Sequence, residues 1–409
     1  MAAYPPRPTR RRPRRGSLER PVNARTYRGT WLLVGIPVLV AAFSVSRADP
    51  LPAPTLPPTF DQEAARLLTT ELATQFPDRS PGSPRAAEAA RWVAERFRVY
   101  GFRAQRQTFA VEIPGRGRVR LTNLVIVAPG RSDSTIVVSA HRDNLGTGRG
   151  ANDNATGTAA LIELARTYAR RAGRGQVVPA NRIVFLSTDG GAFGGLGAAH
   201  FAEARAYRGS IAAVVSLDAL AGDGPPRLIF SGDEPRSPPV ALVQTAATRV
   251  LEQTGNEARH ANALAQLVDL AFPFSLHEQA PFVARGIPAV TLTRGDERPQ
   301  RALLDSPARI RPERIAALGR SAQQLLVSLD QGVELPAGGG TYVYFGPRIV
   351  PGWAVELVLV AAILPFLSAT VDLFARCRRR RIPLAPALRS YRRRLLFWLV
   401  VGGLCALFG

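Results

Sequence analysis

Lysine is absent from this 409-residue sequence, and cysteine occurs only twice. The positive residues behind the formal net charge of +22 are therefore all arginines. Because alanine and proline are also abundant, this favours a bias in base composition, and the number of arginines does not by itself indicate a function. Cys377 and Cys405 both lie at or inside a C-terminal apolar region, so no disulfide can form between residues 47 and 336. That segment is long enough to bury a core without one, and cysteine usage leaves its compartment open.

The arginines are concentrated at two places in the chain. Residues 1–28 hold nine arginines and one glutamate, and residues 376–394 hold nine more without any acidic residue. Each cluster adjoins a long apolar run, as the cytoplasmic flanks of membrane-spanning helices do. A nucleic-acid-binding protein would instead carry its basic residues on the folded surface, so this distribution argues against nucleic acid as a partner.

The first apolar run, residues 30–46, has about 17 residues and is just long enough to span a bilayer. Because the arginine-rich tail of residues 1–29 precedes it, we expect an uncleaved transmembrane helix with a cytoplasmic N-terminus. The alternative is a cleaved signal peptide, since Ser46-Arg47-Ala48 loosely fits a small-x-small cleavage site. The proline-rich residues 47–59 are predicted to be a linker that holds the next domain away from the membrane.

Two further apolar runs lie near the C-terminus. Residues 353–375, about 23 in number, are predicted to be a transmembrane helix that returns the chain to an arginine-rich cytoplasmic loop at residues 376–394. Residues 395–409, about 15 in number, are short for a span, and a truncated transmembrane helix, a re-entrant segment and a tilted segment stay open. The expected protein is a multi-pass protein of the cell membrane, with residues 47–350 outside the cytoplasm.

Residues 60–335 alternate between helical and strand-like patterns of apolar residues. The predicted helices are at residues 62–75, 84–100, 156–171, 196–205, 239–253 and 312–329. The predicted strands are at residues 118–128, 135–140, 182–187, 210–217, 227–231 and 289–293. This alternation predicts an α/β fold with three αβα layers around a mostly parallel central sheet. In such sheets, ligands bind beyond the carboxyl ends of the strands.

Three possible metal ligands fall at those strand ends. His141 follows the strand TIVVSA, Asp218 ends the strand SIAAVVSL, and Asp153 lies in the loop at residues 150–157, which leads into a helix. One imidazole with two carboxylates is a reasonable ligand set for Zn²⁺. Asp143 could accept a hydrogen bond from the second imidazole nitrogen and so orient the ring. The alternative is that these polar residues only cap helices or form turns.

Four motifs occur in a recognisable order: HRDN at residues 141–144, GANDNATG at 150–157, FLSTDG at 185–190 and SLDALAG at 216–222. This order and spacing resemble the two-zinc aminopeptidase family (peptidase clan MH), whose members include glutamate carboxypeptidase, glutaminyl cyclase and the transferrin receptor ectodomain. The resemblance covers about residues 60–330. It implies a zinc aminopeptidase-like domain at residues 60–335.

The resemblance also implies which residues bind zinc. The family's ligands of the first zinc match His141, Asp153 and Asp218, and the middle aspartate also bridges to a second zinc. The family's Glu-Glu pair supplies the general base and a ligand of the second zinc, but Gly191 and Ala192 stand at its place.

A late histidine completes the family's second site, four residues before an aspartate, and Arg301 stands at its place, before Asp305. The sequence thus predicts one complete zinc site, no second site and no general base, whose contribution to rate is about 10²–10⁴-fold. Candidates for a replacement base are Asp189, His200, Glu203, His277 and Glu278, of which the last two lie in a stretch (SLHEQAPF) resembling the family's substrate-pocket loop. For each of them, a role in packing, capping or the surface is the more ordinary interpretation.

Two hypotheses follow. In the first, the chain is an exported, membrane-anchored zinc metallopeptidase of the aminopeptidase type. It would use one zinc ion or a rebuilt site and act on a peptide or protein N-terminus. In the second, the chain is a catalytically inactive pseudopeptidase that binds a peptide or a partner protein. The sequence indicates neither a substrate preference nor an oligomeric state.

Overall fold

The computed structural model describes residues 24–169, 178–204, 207, 209–295, 302–331, 335, 340–379, 381, 389, 392 and 395–403. The chain divides into two compact units, one of residues Val45–Gly352 and one that combines Met1–Ser44 with Trp353–Gly409. The α-helices of the described residues are α1 (Ala24–Phe43), α2 (Gln62–Gln75), α3 (Pro84–Val99), α4 (Gly157–Arg166), α5 (Leu196–Glu203), α6 (Val240–Thr254), α7 (Ala263–Ala271), α8 (Ala280–Ala284), α9 (Pro312–Gln331) and α10 (Gly352–Arg379). The strands are β1 (Ser46–Arg47), β2 (Ala104–Ile113), β3 (Gly117–Ala128), β4 (Thr135–His141), β5 (Arg182–Thr188), β6 (Ile211–Asp218), β7 (Arg227–Ile229), β8 (Ala289–Thr293), β9 (Tyr342–Tyr344) and β10 (Arg348–Pro351).

A seven-stranded sheet forms the centre of the larger unit, in the order β2-β3-β5-β4-β6-β8-β7. The four middle strands β5, β4, β6 and β8 are parallel, while β2, β3 and β7 are joined antiparallel at the two edges. Every residue of β4 is buried, as its run of β-branched residues requires at the middle of a covered sheet. The mostly parallel α/β fold is therefore confirmed.

Both faces of this sheet are covered by helices. Ile136 and Val138 point to one face and pack in the same cluster as Leu161 of α4. Val137, between them, points to the other face and packs in a cluster with Phe201 of α5. Successive side chains of β4 thus pack into two apolar layers, one on each face of the sheet. This is the packing expected of the predicted three-layer arrangement.

The proline-rich segment 47–59, predicted to be a linker, lies within the larger folded unit and bonds to its helices. The backbone N–H of Leu51 donates to the Thr245 hydroxyl of α6 at 2.8 Å. The backbone N–H of Thr59 donates to the Gln323 side chain of α9 at 2.9 Å. An extended proline-rich chain cannot pair its polar groups within itself, and here the side chains of two helices pair them.

A second, three-stranded antiparallel sheet joins the two ends of this unit, in the order β1-β10-β9. Ser46 faces Ile349 and Arg47 faces Arg348. The folded unit therefore extends beyond the predicted limits of 60–335. The short strands β9 and β10 were not predicted, because runs of three or four residues carry too little periodicity.

Among the described residues, helices α1 and α10 contain two apolar stretches that are long enough to cross a membrane. Residues Arg25–Phe43 have a mean hydropathy of 1.4, and Gly352–Arg379 have 2.2. The first helix ends at Phe43 rather than at the predicted residue 46, because Ser46 enters β1. Residues 395–403 are helical, whereas 404–409, most of 380–394 and the basic tail up to residue 23 lie outside the described residues. Length and composition alone do not separate a membrane span from a signal sequence near the N-terminus.

Candidate metal centre

The carboxyl ends of two neighbouring parallel strands bring His141 and Asp218 together. His141 is the last residue of β4, and Asp218 is the last residue of β6. The His141 Nε2 atom lies 3.5 Å from Oδ1 of Asp218. The imidazole is almost completely buried, so its position is fixed by packing as well as by the strand.

Asp153 reaches the same point from a short π-helical turn, Ala151–Thr156, which follows Gly150 in the left-handed region at φ 52°. Its Oδ1 lies 3.3 Å from Nε2 of His141. The turn is tied to the end of β6, because the Asn154 side chain donates to the backbone oxygen of Leu217 at 2.8 Å. The three predicted ligands thus meet, with their ligand atoms within 4.8 Å of one another.

The donor set fits a single divalent metal ion. Ligand atoms at about 2.0–2.2 Å from a tetrahedral zinc ion are separated from each other by roughly 3.4 Å. The observed separations of 3.3 and 3.5 Å from the His141 nitrogen match this value. In addition, Oδ1 of Asp218 is buried and has only the long 3.5 Å contact with Nε2 of His141, which is costly unless a cation or proton lies between the two atoms.

Asp143, the expected orienting residue, contacts the imidazole at its other nitrogen. The His141 Nδ1 lies 3.2 Å from the backbone oxygen of Asp143 and 3.4 Å from its Oδ1. The Asp143 carboxylate itself accepts hydrogen bonds from the backbone N–H groups of Gly191, at 2.9 Å, and Ala192, at 3.1 Å. An acceptor at Nδ1 keeps the proton on that nitrogen and leaves Nε2 as the donor to a metal.

Gly191 packs directly on the imidazole. A Cβ atom on residue 191 would overlap Cβ and Cγ of His141. The ring of His141 therefore fills the space that a glutamate side chain at position 191 would need. The packing of the site requires a glycine here.

The segment before Asp305 is only partly described, since Arg301 lies outside the described residues. Asp305 itself is buried and has a clear role. Its two carboxylate oxygens accept hydrogen bonds from the backbone N–H groups of Asn152, at 2.7 Å, and Asp153, at 2.9 Å. It therefore fixes the backbone of the ligand turn from a point 152 residues away along the chain.

His277 and Glu278 are brought into the site, contrary to the more ordinary interpretation of these residues. The His277 Nδ1 lies 2.9 Å from Oδ2 of Asp218. Glu278 is buried, and its Oε1 accepts a hydrogen bond from the hydroxyl of Thr188 at the end of β5. Its Oε2 is buried without a hydrogen-bond partner. Burial raises the pKa of Glu278 to about 7.

The other candidates for a replacement base are engaged elsewhere. His200 stacks on Phe109 with ring centroids 3.9 Å apart. Glu203 pairs with Arg285 at the surface. Asp189 is paired with Arg142 at 3.0 Å.

The charges at the centre are strongly coupled. Burial alone would lower the pKa of His141, but hydrogen bonds to Asp143, Asp153 and Asp218 outweigh burial and hold it well above the usual value. Burial would raise the pKa of Asp218, but hydrogen bonds from His141 and His277 lower it. The metal-free site is therefore an imidazolium among carboxylates, and a metal ion would take the place of that proton.

Arg79 is a buried brace that sequence reasoning missed. Its guanidinium donates to the backbone oxygens of Arg142 and Phe76 at 2.7 Å each, of Gly150 at 2.8 Å and of Arg149 at 2.9 Å. Three of these acceptors lie in the loop that runs from His141 to Asp153. Nothing in the sequence around Arg79 distinguishes it from the many surface arginines.

A cavity of about 270 Å³ opens beside His277. Its lining is largely apolar and aromatic, with Phe230, Phe274, Leu276 and Tyr342 among its residues. A second, much smaller cavity of about 40 Å³ borders Asp153. A third cavity, of about 270 Å³, lies by the ligand turn and is lined mainly by polar residues, among them Asn152 and Asp305. The cavity beside His277 and this third cavity are both large enough to admit a side chain.

Residues 123–325 match the family model of Peptidase family M28. This match, which spans 203 of the 409 residues of the chain, confirms the resemblance of the domain to the zinc aminopeptidase family. Among solved structures, the fold is similar to an aminopeptidase from Aneurinibacillus sp. strain AM-1, with a TM-score of 0.54, 12% identity and coverage of 68% of this chain and 96% of that one. It is also similar to the glutaminyl cyclase of Porphyromonas gingivalis, with a TM-score of 0.53, 17% identity and coverage of 65% and 98%.

Transferrin receptor protein 2 of Mus musculus is 40% identical over 95 residues. This match covers 22% of the present chain and only 12% of the receptor. The relationship therefore concerns one segment, and it carries no statement about what the whole receptor does.

Proposed function

We propose that this chain is a membrane-anchored, M28-type metallopeptidase that holds one zinc ion through His141, Asp153 and Asp218 and acts on peptide N-termini outside the cytoplasm. The observation that carries the proposal is the convergence of three ligand atoms, with the buried Oδ1 of Asp218 lacking any other partner. Zinc held there would supply Lewis-acid polarisation of a peptide carbonyl.

Side chains around the metal ligands would have separate roles in the reaction. Asp143 holds the ring of His141, and His277 holds the second oxygen of Asp218. Glu278 is the group best suited to accept a proton, because its Oε2 has no partner and its pKa of about 7 lies near neutral pH. The apolar cavity beside His277 favours substrates whose first side chain is apolar.

Metal content of the purified full chain tests the zinc site. We expect one zinc ion per chain, and its loss in His141→Ala. His260→Ala is the matched control, since His260 is not one of the three grouped ligands, and it contacts the backbone oxygen of Ala261 and the ring of Tyr344 instead. A chain without zinc, or one that keeps it in His141→Ala, contradicts the proposal.

Release of p-nitroaniline from amino-acid p-nitroanilides tests the reaction. Activity should be lost in Asp153→Asn together with zinc, and in Glu278→Gln with zinc retained. Activity that survives Glu278→Gln would show that this carboxylate is not the base.

A second function, peptide binding without hydrolysis, is favoured by the contact of Gly191 with His141, which excludes a glutamate from the family's base position. This pseudopeptidase would hold zinc and bind peptides in the cavity beside His277 while releasing no product. The pseudopeptidase function would be supported if the unmodified chain retains zinc and binds peptides but does not hydrolyse them.

A further inference from the structure

The segment 263–276, formed by α7 and the turn after it, exposes an unusual amount of apolar surface. Leu264, Val268 and Phe272 are 72%, 50% and 78% exposed, and they recur at every fourth residue along one side of α7. Phe274 and Leu276, in the turn, are 69% and 59% exposed. We call these five residues the α7 apolar face. Soluble domains rarely leave such a contiguous face uncovered, so it indicates an interaction site.

The opposite side of α7 fixes the helix to the sheet at which the folded unit begins and ends. The Gln266 side chain donates to the backbone oxygen of Tyr344 and accepts from its N–H, both at 2.8 Å. Tyr344 belongs to β9, which pairs with β10, and β10 pairs with β1. The α7 apolar face therefore lies next to the strands through which the chain enters and leaves this unit.

Those same strands continue directly into the two apolar helices. β10 ends at Pro351 and α10 begins at Gly352, while α1 ends at Phe43, three residues before β1. If α1 and α10 lie in a bilayer, chain connectivity alone holds the adjoining ends of β1 and β10 within a few residues of the lipid surface. This step rests on the membrane anchoring in the proposed function.

The charged residues of this region are also compatible with a lipid surface as the partner. Asp269 is the one charged residue between positions 263 and 276, and it lies on the side of α7 that lines the cavity beside His277 rather than in the row of Leu264 and Val268. Arg47 and Arg348 face each other on β1 and β10, and both are exposed. Apolar side chains with arginines beside them are typical of elements that lie in the interface of a bilayer.

We infer that the α7 apolar face inserts into the lipid surface beside the membrane anchors. Phe274 and Leu276 also line the cavity next to His277. Insertion would therefore place the mouth of that cavity at the membrane, where peptides attached to the membrane or apolar at their N-terminus are available. Insertion of the α7 apolar face would thus bring both the domain and its substrate to the membrane surface.

Site-directed fluorescence on the full chain tests this inference. Phe272→Cys is made in a Cys377→Ser, Cys405→Ser background, labelled with the dye NBD and placed in nanodiscs of phosphatidylcholine and phosphatidylglycerol. The matched control is Val99→Cys, which is 66% exposed at the end of α3. We expect a blue-shifted emission at position 272 that nitroxide-labelled lipids quench at least twofold, and neither effect at position 99.

Equal emission and equal quenching at positions 272 and 99 would overturn the inference. A blue shift at position 272 that lipid nitroxides do not quench would also overturn it, because a second copy of the chain or a peptide would then cover the face. Val268→Cys repeats the measurement one helical turn away, in case labelling at 272 perturbs the turn. Membrane anchoring is measured separately, by flotation with vesicles after an alkaline wash, so that its failure is distinguished from failure of the α7 contact.

Discussion

Gly191 and His141 approach each other so closely that residue 191 can carry no side chain unless one of the two moves. The backbone N–H of Gly191 is at the same time bound to the carboxylate of Asp143, which orients the ring. Gly191 therefore positions the metal ligand from two sides, through packing and through a hydrogen bond. The residue that replaces the family's base has become part of the support for His141.

Gly191→Glu is accordingly expected to damage the site rather than to restore a base. Overpacking of this kind costs about 1–3 kcal/mol of unfolding free energy, and displacement of the ring should remove zinc. Circular dichroism during chemical denaturation, together with zinc analysis, measures both effects. Ala192→Glu is the control, since residue 192 is partly exposed and should keep zinc. A Gly191→Glu variant that keeps zinc and gains peptidase activity would refute this explanation.

Arg79→Met should strongly destabilise the protein. It leaves four buried or partly buried backbone oxygens without their donor, and breaking a buried charged network of this kind costs about 3–5 kcal/mol. The unfolding free energy measures the loss, and zinc affinity should fall with it because the braced loop carries Asp153. Arg85→Met should change the unfolding free energy by less than about 1 kcal/mol, since Arg85 forms only an exposed pair with Glu88. Similar losses in the two variants would contradict the bracing role.

Asp143→Asn should weaken zinc binding without abolishing it. The amide group of asparagine would direct an N–H₂ at the backbone N–H of Gly191 or Ala192, so the side chain cannot keep both of its hydrogen bonds. Loss of such an orienting carboxylate costs about 10–100-fold in metal affinity. Competition with a chelating dye measures the dissociation constant. Asp133→Asn, which removes an exposed carboxylate, should leave it unchanged.

Glu278→Gln should change how stability depends on pH in the metal-free protein. The folded pKa is about 7 and the ordinary value is 4.5, so above pH 4.5 the unfolded state ionises first and the folded state loses stability as pH rises. The penalty is complete above pH 7 and amounts to about 3 kcal/mol, since each pKa unit is worth about 1.4 kcal/mol.

Glutamine does not ionise and has no such penalty. The unfolding free energy of the variant minus that of the parent should therefore be about 2–3 kcal/mol larger at pH 8 than at pH 5. Denaturation in the presence of a chelator at both pH values provides the comparison. Glu203→Gln, at the surface, should show the same pH dependence as the parent. A parallel pH dependence of parent and Glu278→Gln would mean that Glu278 ionises normally.

Much of the centre was predictable because it depends on strand ends. β4 and β6 are short buried runs of branched residues, and the residues that follow them must meet at one edge of the sheet. His141 and Asp218 could therefore be placed from the sequence. Asp153 could be added from its loop before a helix, and the resemblance to a known family then implied the same three ligands.

The parts that could not be predicted depend on contacts between distant segments. Arg79 looks like an ordinary charged surface residue in the sequence, and only folding buries it against the loop after His141. Glu278 was one of five candidates for a base, and only the structure shows that it is buried. α7 was not predicted, because it is only nine residues long and carries apolar residues on its exposed side. The contacts of the proline-rich segment 47–59 could not be predicted from its composition, because they depend on side chains of α6 and α9.

The pairing of Ser46 with Ile349 makes the folded unit transplantable. Because its two ends leave from adjacent strands, a short connector between residues 45 and 352 would close the unit into a ring at little cost in chain entropy. The same arrangement allows the unit to be inserted whole into an exposed loop of an unrelated protein without stretching the host. In evolutionary terms, a domain with this geometry can be acquired between two existing helices in one step.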